Sequence, residues 1–350
     1  MVRFNPAPAD LRTSWLPDNI ASPSLTAIGT RIFFVVGTGR IESTVIGSAA
    51  RPSILVSAPQ CEAINQVAAA GNVLGYVLTG PVGGSGDPVG CARTSRVAWT
   101  IWFTDLAGRN PRRIASGVRA VDSAATRLYP VRLALTPSIY AFNRTNSPGL
   151  MAEGETVEVR SLNRNKLLWS VQTDSHVASL MLGGSTLAVL ERDRGFELNI
   201  ATTTNPALTP VARPVSAASL PEDGAYLTWD VAADATRNMP AGVVTAKLQT
   251  GGTDLLPAPL NSPFHEPFRP VISSTPTGPI VAWYATARGG AVYPAFRDYA
   301  TEGGGVYSTV QAPVWIGLRG STLIMVTTDR DGGYTVAFAL DLSRSGFKKT

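Results

Sequence analysis

The 350-residue chain predicts an all-β fold assembled from a repeated four-stranded unit, and three observations lead there. Helical periodicity is almost absent, and Leu, Ile, Val, Thr and aromatic residues gather in runs of about four to eight bounded by Gly, Pro, Asn and Asp. Glycine (33 residues) and proline (26) are plentiful while charged residues make up only 16%, a composition suited to short strands and tight turns. The strand-like runs also recur: GSTLAVLERDR at residues 184–194 returns as GSTLIMVTTDR at residues 320–330, an offset of 136.

The recurrence extends along the whole chain. Ile32, Val73, Ile139, Leu187, Tyr226, Ile280 and Leu323 each follow a turn and open a strand, with spacings of 41, 66, 48, 39, 54 and 43 residues. A period near 40 to 50 with several strands per unit predicts a β-propeller of four-stranded antiparallel blades. Seven anchors favour seven blades. Six is the alternative, because GRIESTVIGSAARPSILVSA around the first anchor has little turn signature. The offset of 136 is then three units of about 45, with GSTL at the turn into the second strand each time.

Within the fourth unit VASLML lines the channel, STLAVLERD is second, FELNIATT third and LTPVARP outermost. The second strands are apolar nearly throughout, as expected where neighbouring blades cover both faces. Outer strands carry more charge and proline, which blunts an exposed edge. The last unit has only APVWIGLR, STLIMVTTD and YTVAFALDLS, so the ring is expected to close with an N-terminal strand from residues 2–20 beside the C-terminal one. Residues 1–350 then form one propeller domain, with residues 80–96 as a long loop insertion between strands.

The formal net charge of +5 is carried almost wholly by arginine, since lysine occurs only at Lys166, Lys247, Lys348 and Lys349. The arginines are scattered, with Arg112 and Arg113 the only adjacent pair, and this argues against nucleic acid as a partner. No run approaches the roughly 18 apolar residues of a transmembrane helix. The N-terminus lacks an apolar run of signal-peptide type, which leaves a cytoplasmic protein or a mature form freed of its leader. Cys61 and Cys91 flank the run NVLGYVLTG, and a disulfide between them is expected. That pairing shifts the expected location toward the extracytoplasmic side: secreted, periplasmic or cell-surface.

IWFTDLAGRNPRRIASG at residues 101–117 resembles the repeat of TolB-like and WD40-like β-propellers, in which a strand ends at a D-x-x-G turn and a basic strand follows. TVEVRSLNRNKLLWSV at residues 156–171 is similar in layout, with Asn163 in its turn and without the Asp and Gly. The likeness covers most of the chain as spacing, and one or two units as motif. It implies the propeller fold and little about activity, since propellers of this kind include binding scaffolds, non-catalytic domains of peptidases and enzymes.

Residues of the kinds that carry chemistry are few. His176 follows Asp174 and Ser175, but neighbours on a strand point to opposite faces, so a Ser-His-Asp arrangement is not expected; His265 is the only other histidine. No G-x-S-x-G elbow occurs and no α/β hydrolase segment follows the repeats. Two histidines and two cysteines at these spacings give no zinc site. Asp329 and Asp331 in TTDRDGG lack the further carboxylates of a calcium loop and read as a hairpin turn. Neither a metal nor a cofactor is expected, and no residue is assigned as catalytic. Trp99, Trp102, Trp169, Trp229, Trp283 and Trp315 are read as packed between blades rather than as a sugar platform, and Trp15 as an anchor of the closing strand. Asn143-Arg144-Thr145 is a glycosylation sequon.

The largest loops are placed at residues 80–96, 144–156, 231–242 and 255–270, and they carry Arg93, Arg96, Arg144, Arg237 and Arg269. Converging on one face, these would hold an anionic peptide, glycan or phosphate. The function expected is a non-catalytic scaffold for a protein partner; the alternative is a glycan-binding or glycan-active propeller. A flat loop face separates the first from the second, which needs a deep channel mouth lined by Arg, Tyr, His and carboxylates.

Overall fold

The computed structural model describes residues 2–4, 11–16, 20–37, 39–82, 95–121, 130–145, 154–192, 196–231, 242–249, 252–256, 265–286, 292–307, 313–328 and 335–343. Its strands form seven sheets, five of them built wholly from neighbours in sequence, arranged as seven blades of a propeller.

Blade 1 comprises Ile20–Ile28, Arg31–Val36, Arg40–Val45 and Ser53–Ser57; blade 2 comprises Ala63–Ala70, Val73–Pro81, Arg96–Asp105 and Arg112–Ala120. Blade 3 runs through Leu133–Leu135, Ile139–Thr145, Glu155–Ser161 and Leu167–Gln172, and blade 4 through Val177–Gly183, Thr186–Glu191, Glu197–Thr202 and Thr209–Ala212. Blade 5 contains Ala218–Ser219, Tyr226–Val231, Gly242–Gln249 and Gly252–Leu255, and blade 6 His265–Thr275, Gly278–Thr286, Val292–Asp298 and Gly303–Tyr307. Blade 7 takes Pro313–Arg319, Thr322–Thr328 and Thr335–Asp341 from the C-terminal part of the chain. All seven sequence anchors fall in second strands, one per blade, so the count is seven and not six.

The fourth strand of blade 7 is Leu11–Leu16, antiparallel to Thr335–Asp341, with Trp15 opposite Val336. The closure expected from the missing strand is therefore present. A second N-terminal strand was not foreseen: Val2–Phe4 pairs parallel with Gly303–Tyr307 and adds a fifth strand to blade 6. The receiving strand, GGGVY, begins with three glycines and carries no charge, so few side chains oppose an added strand there.

Seven apolar clusters hold the ring, each lying between adjacent blades. Across the closing seam Ile324, Val326, Ala337 and Ala339 of blade 7 pack on Leu25, Ile32, Phe34 and Ile46 of blade 1. Between blades 6 and 7 Tyr284 and Phe296 meet Leu323 and Met325. Second strands are buried on both faces: Ile32, Phe33, Phe34 and Val35 are inaccessible to solvent, and every residue of Thr186–Glu191 is buried. Each such apolar side chain contributes roughly 1.5–3 kcal/mol, which explains why the second strand carries the clearest sequence signal.

The D-x-x-G turn of blade 2 forms as its sequence implies. Asp105 Oδ1 accepts from the amides of Ala107 (2.9 Å) and Arg109 (2.8 Å), and Gly108 takes φ 78°. In blade 3, where that turn lacks Asp and Gly, Asn165 supplies the left-handed residue at φ 54°.

Candidate functional site

The blades give the ring two unlike ends. At one, which we call the turn end, short hairpins join first to second strands, through Gly29, Gly71, Gly184, Asp223 and Gly320. At the other, the loop end, second strands pass to third strands and each blade passes to the next.

The turn end surrounds the mouth of the central channel. One cavity of about 340 Å³ is bordered by Gly29, Gly71, Asp223, Ser273, Ser274 and Gly320. A second, of about 180 Å³, is walled by Ala134, Leu135, Leu180, Met181, Leu182 and Leu220. Glu222 and Arg319 border both. Their facing atoms, Arg319 Nη1 and Glu222 Oε2, lie 3.8 Å apart, and Arg319 Nε donates to the carbonyl of Ala27 at 3.3 Å across the closing seam. Neighbouring blades are tied here by main chain and small side chains: Gly184 N donates to Glu222 O (2.8 Å), Gly320 N to Ser273 Oγ (2.7 Å), and Ser274 Oγ to Asp223 Oδ1 (2.8 Å).

The loop end buries charged groups. Glu191, the last residue of a second strand, accepts from the amides of Asp174 (3.0 Å) and Ser175 (2.9 Å), from Ser175 Oγ (3.2 Å) and from Asn199 Nδ2 (2.9 Å). Burial raises its carboxyl above the ordinary value of 4.5, and the bonds from Ser175 and Asp174 oppose that rise. Asp230 in blade 5 accepts likewise from the amides of Ser216 and Ala217, both at 2.8 Å, and Asn143 in blade 3 from the amide of Arg132 at 2.5 Å. The same device thus recurs: a polar group late in a second strand caps the amides that lead into the first strand of its own blade. Glu155 goes further. Its carboxylate takes Arg119 Nη2 of blade 2 at 2.5 Å, Asn143 Nδ2 of blade 3, and the amide of Val177 in blade 4 at 3.4 Å.

These contacts settle several sequence readings. Ser175 Oγ serves Glu191, so the Asp174-Ser175-His176 run is the start of a blade. Asn143 is only 1% exposed, with both side-chain atoms engaged, which removes the sequon as an acceptor. Trp99, Trp229 and Trp283 are buried, and Trp102, Trp169 and Trp315 pack against the clusters between blades. Neither the caps nor the Glu155 junction was singled out in the sequence. The available signal was an acidic or amide residue ending an otherwise apolar run, as in TLAVLE and YLTWD.

Of the predicted arginines, Arg93 and Arg237 lie outside the described residues, as do Cys91, Asp329 and Asp331. Arg96 is exposed at the start of the third strand of blade 2. Arg144, exposed near the end of a second strand, pairs with Glu158 Oε1 at 2.9 Å, and Glu158 also takes Arg160 Nε at 2.7 Å. Arg269 is exposed in the first strand of blade 6, at φ 51° between shifts of register. The structure places these three toward the loop end but on blades 2, 3 and 6, so they form no single cluster. Residues 255–270, read as one loop, become strand at His265. Phe196, not singled out, lies at the same end with φ 56° and 41% exposure.

Comparison with solved structures places this arrangement. U3-55K matches with a TM-score of 0.54 at 11% identity, covering 96% of this chain and all of that one. The WD40 β-propeller domain of Doa1 matches at 0.53 and 11% identity, covering 95% and 98%. The fold is that of a WD40-like β-propeller. The expected likeness to WD40-like propellers therefore holds as a likeness of fold. A puromycin-hydrolysing peptidase of Mycobacterium tuberculosis matches at 0.54 and 13% identity over 84% of this chain; the chain spans only 44% of that protein's length. No protein-family model matches the sequence. No curated protein matches it either.

Proposed function

We propose that this propeller is a scaffold whose loop end docks a protein partner with an acidic surface. The observation that carries the reading is the exposure of Arg96, Arg144 and Arg269 toward that end on blades 2, 3 and 6, together with an exposed Phe196 in the left-handed region on blade 4. A bulky residue with positive φ is strained, and strain of this kind gathers at binding surfaces, where an exposed aromatic ring can act as an anchor. Arginine suits such a rim because its planar fork matches carboxylates. The long connections at 80–96, 144–156 and 231–242 leave from the same end, and loops of that sort vary without disturbing the scaffold.

A glycan-directed channel has less support. Among the described residues the two cavities at the turn end contain one arginine and no Tyr, His or Trp. We further propose an extracytoplasmic location and a Cys61–Cys91 disulfide. Cys61 sits just before the first strand of blade 2, and a Cβ added at Gly80 would lie 3.6 Å from the Cys61 carbonyl. Gly80 is near the point where the segment bearing Cys91 departs, so a bridge would pin that segment's two ends.

The test is affinity capture followed by direct binding with the purified partner. Replacing residues 232–241 with a short Gly-Ser connector, or Phe196 with Ala, should weaken capture roughly tenfold or more while leaving thermal unfolding intact. Specific binding with turnover on a glycan array, unaffected by these changes, would sink the scaffold reading.

A further inference from the structure

The outer edge of blade 6 is built unlike the edges of the blades before it. In blades 1 to 3 the turn between the third and fourth strands of the next blade approaches the outer strand. Gly108 stands so close to blade 1 that a Cβ added there would meet the Leu55 carbonyl oxygen. Asn165 Nδ2 donates to the Ile114 carbonyl of blade 2 at 3.3 Å, and Leu208 and Trp169 pack against one apolar cluster. Blade 7 supplies no continuous turn of this kind to blade 6, because its third strand, Thr335–Asp341, and its fourth, Leu11–Leu16, come from opposite parts of the chain.

The same edge lacks the devices that guard an exposed strand. The outer strands of blades 1 to 4 each break register with their third strand, and such a bulge turns an edge away from an incoming chain. Gly303–Tyr307 keeps an unbroken register with Val292–Asp298, and its sequence GGGVY has neither charge nor proline. What lies on it is Val2–Phe4, paired parallel with Gly305, Val306 and Tyr307. Gly303 and Gly304 stay outside that register. Pro6 and Pro8 follow closely in the sequence, and proline has no amide proton with which to carry a ladder further. Three pairs are a short hold, and parallel pairing is the weaker kind per residue.

We propose that the outer edge of blade 6 is a strand-acceptor site for an extended segment of a partner protein, which displaces Val2–Phe4 and adds parallel to Gly303–Tyr307 over its whole length. Main-chain hydrogen bonds supply the affinity, as in strand addition generally. The glycines supply the preference: with no side chains at Gly303, Gly304 and Gly305, an incoming strand with aromatic or β-branched residues opposite them covers bare backbone. A second copy of this chain suits the site less. Its Val2–Phe4 would offer only the pairs that the resident strand already makes, and the resident strand has the advantage of its tether.

Fluorescence anisotropy with a dye-labelled, amidated peptide YTVRF tests this. Its last three residues repeat Val2–Phe4, and its first two reach Gly303 and Gly304. A chain lacking residues 1–5 should bind it at least roughly tenfold more tightly than the full chain, in which the tethered strand competes. The peptide YPPRF should bind the shortened chain at least roughly tenfold more weakly, because of two adjacent prolines one faces the edge whichever way the strand lies. Hydrogen exchange on the unaltered chain decides even where the shortened one folds poorly: saturating YTVRF should slow exchange within residues 303–304 and speed it within residues 2–4. Equal affinity of the two chains, equal affinity for the two peptides, no binding by the folded shortened chain at about 1 mM peptide, or unchanged exchange in both segments would overturn the assignment. Self-association of the shortened chain that shuts out the peptide would overturn it too, giving the edge to a second copy.

Discussion

The two ends of the ring spend polar groups differently. At the turn end the contacts between blades run through backbone amides, serines and glycines, and the charged pair Arg319–Glu222 stays solvent-accessible. At the loop end Glu191, Asp230 and Glu155 are buried and bonded, while arginines stand exposed around them. The difference teaches that charge buried in this fold is held by several bonds and ties blades together, whereas the exposed pair, spaced at 3.8 Å, adds little to the ring. Glu155, with three blades bonded to one carboxylate, is the clearest instance of the first kind.

The largest effect should come from the seam that both ends share. Removing residues 1–16 deletes the fourth strand of blade 7 and uncovers the edge of Thr335–Asp341. Cooperative thermal unfolding should be lost, whereas removing residues 1–5 alone, which deletes only Val2–Phe4, should lower the midpoint modestly. A 1–16 deletion that melts like the full chain would refute closure by Leu11–Leu16.

Next come two ion pairs at the loop end. Glu155→Ala strands Arg119, whose side chain is 7% exposed, and should cost about 3–5 kcal/mol in denaturant unfolding. Arg144→Ala removes a pair whose arginine is 52% exposed and should cost at most about 1 kcal/mol. Similar losses for both would break the distinction between buried and exposed charge.

At the turn end Gly224→Ala should destabilise by roughly 1–3 kcal/mol. Gly224 has φ 70°, and a Cβ there would lie 2.1 Å from the Gly183 carbonyl in the adjoining blade. An unchanged midpoint would show that the blade 4–5 contact is looser than described.

The smallest effect is one of pH. Burial raises the Glu191 carboxyl, so the folded state holds its proton to higher pH than the unfolded chain does. Its contribution to stability is therefore fully present below the ordinary value of 4.5 and is lost as pH rises through the raised folded value. Glu191→Gln should remove that downward slope from the stability–pH curve; a slope retained by the variant would assign it to another group.

Much of the architecture was legible in the sequence because its strongest signal, a doubly buried strand after a turn, occurs once per blade. Leu187 and Leu323 in the repeated GSTL runs both mark second strands, and the missing strand of blade 7 pointed to the N-terminus. The Val2–Phe4 addition was not legible, since three residues carry no periodicity and their partner GGGVY has no strand-like pattern. The polar junctions were hidden for another reason. Glu155, Arg119 and Asn143 are far apart in the chain, and their convergence depends on how blades 2, 3 and 4 abut. Arg319 and Glu222 were missed likewise, because a channel mouth draws single residues from blades remote in sequence.

The most direct test sets the two ends side by side in one thermal-unfolding experiment. A chain with residues 232–241 replaced by a Gly-Ser connector should melt within a few degrees of the unaltered protein, since the described clusters between blades draw on residues outside that segment. The Glu155→Ala chain should melt far lower. Should the loop-replaced chain fall as far as Glu155→Ala, the loop end would be part of what holds the ring together and not a surface free to bind.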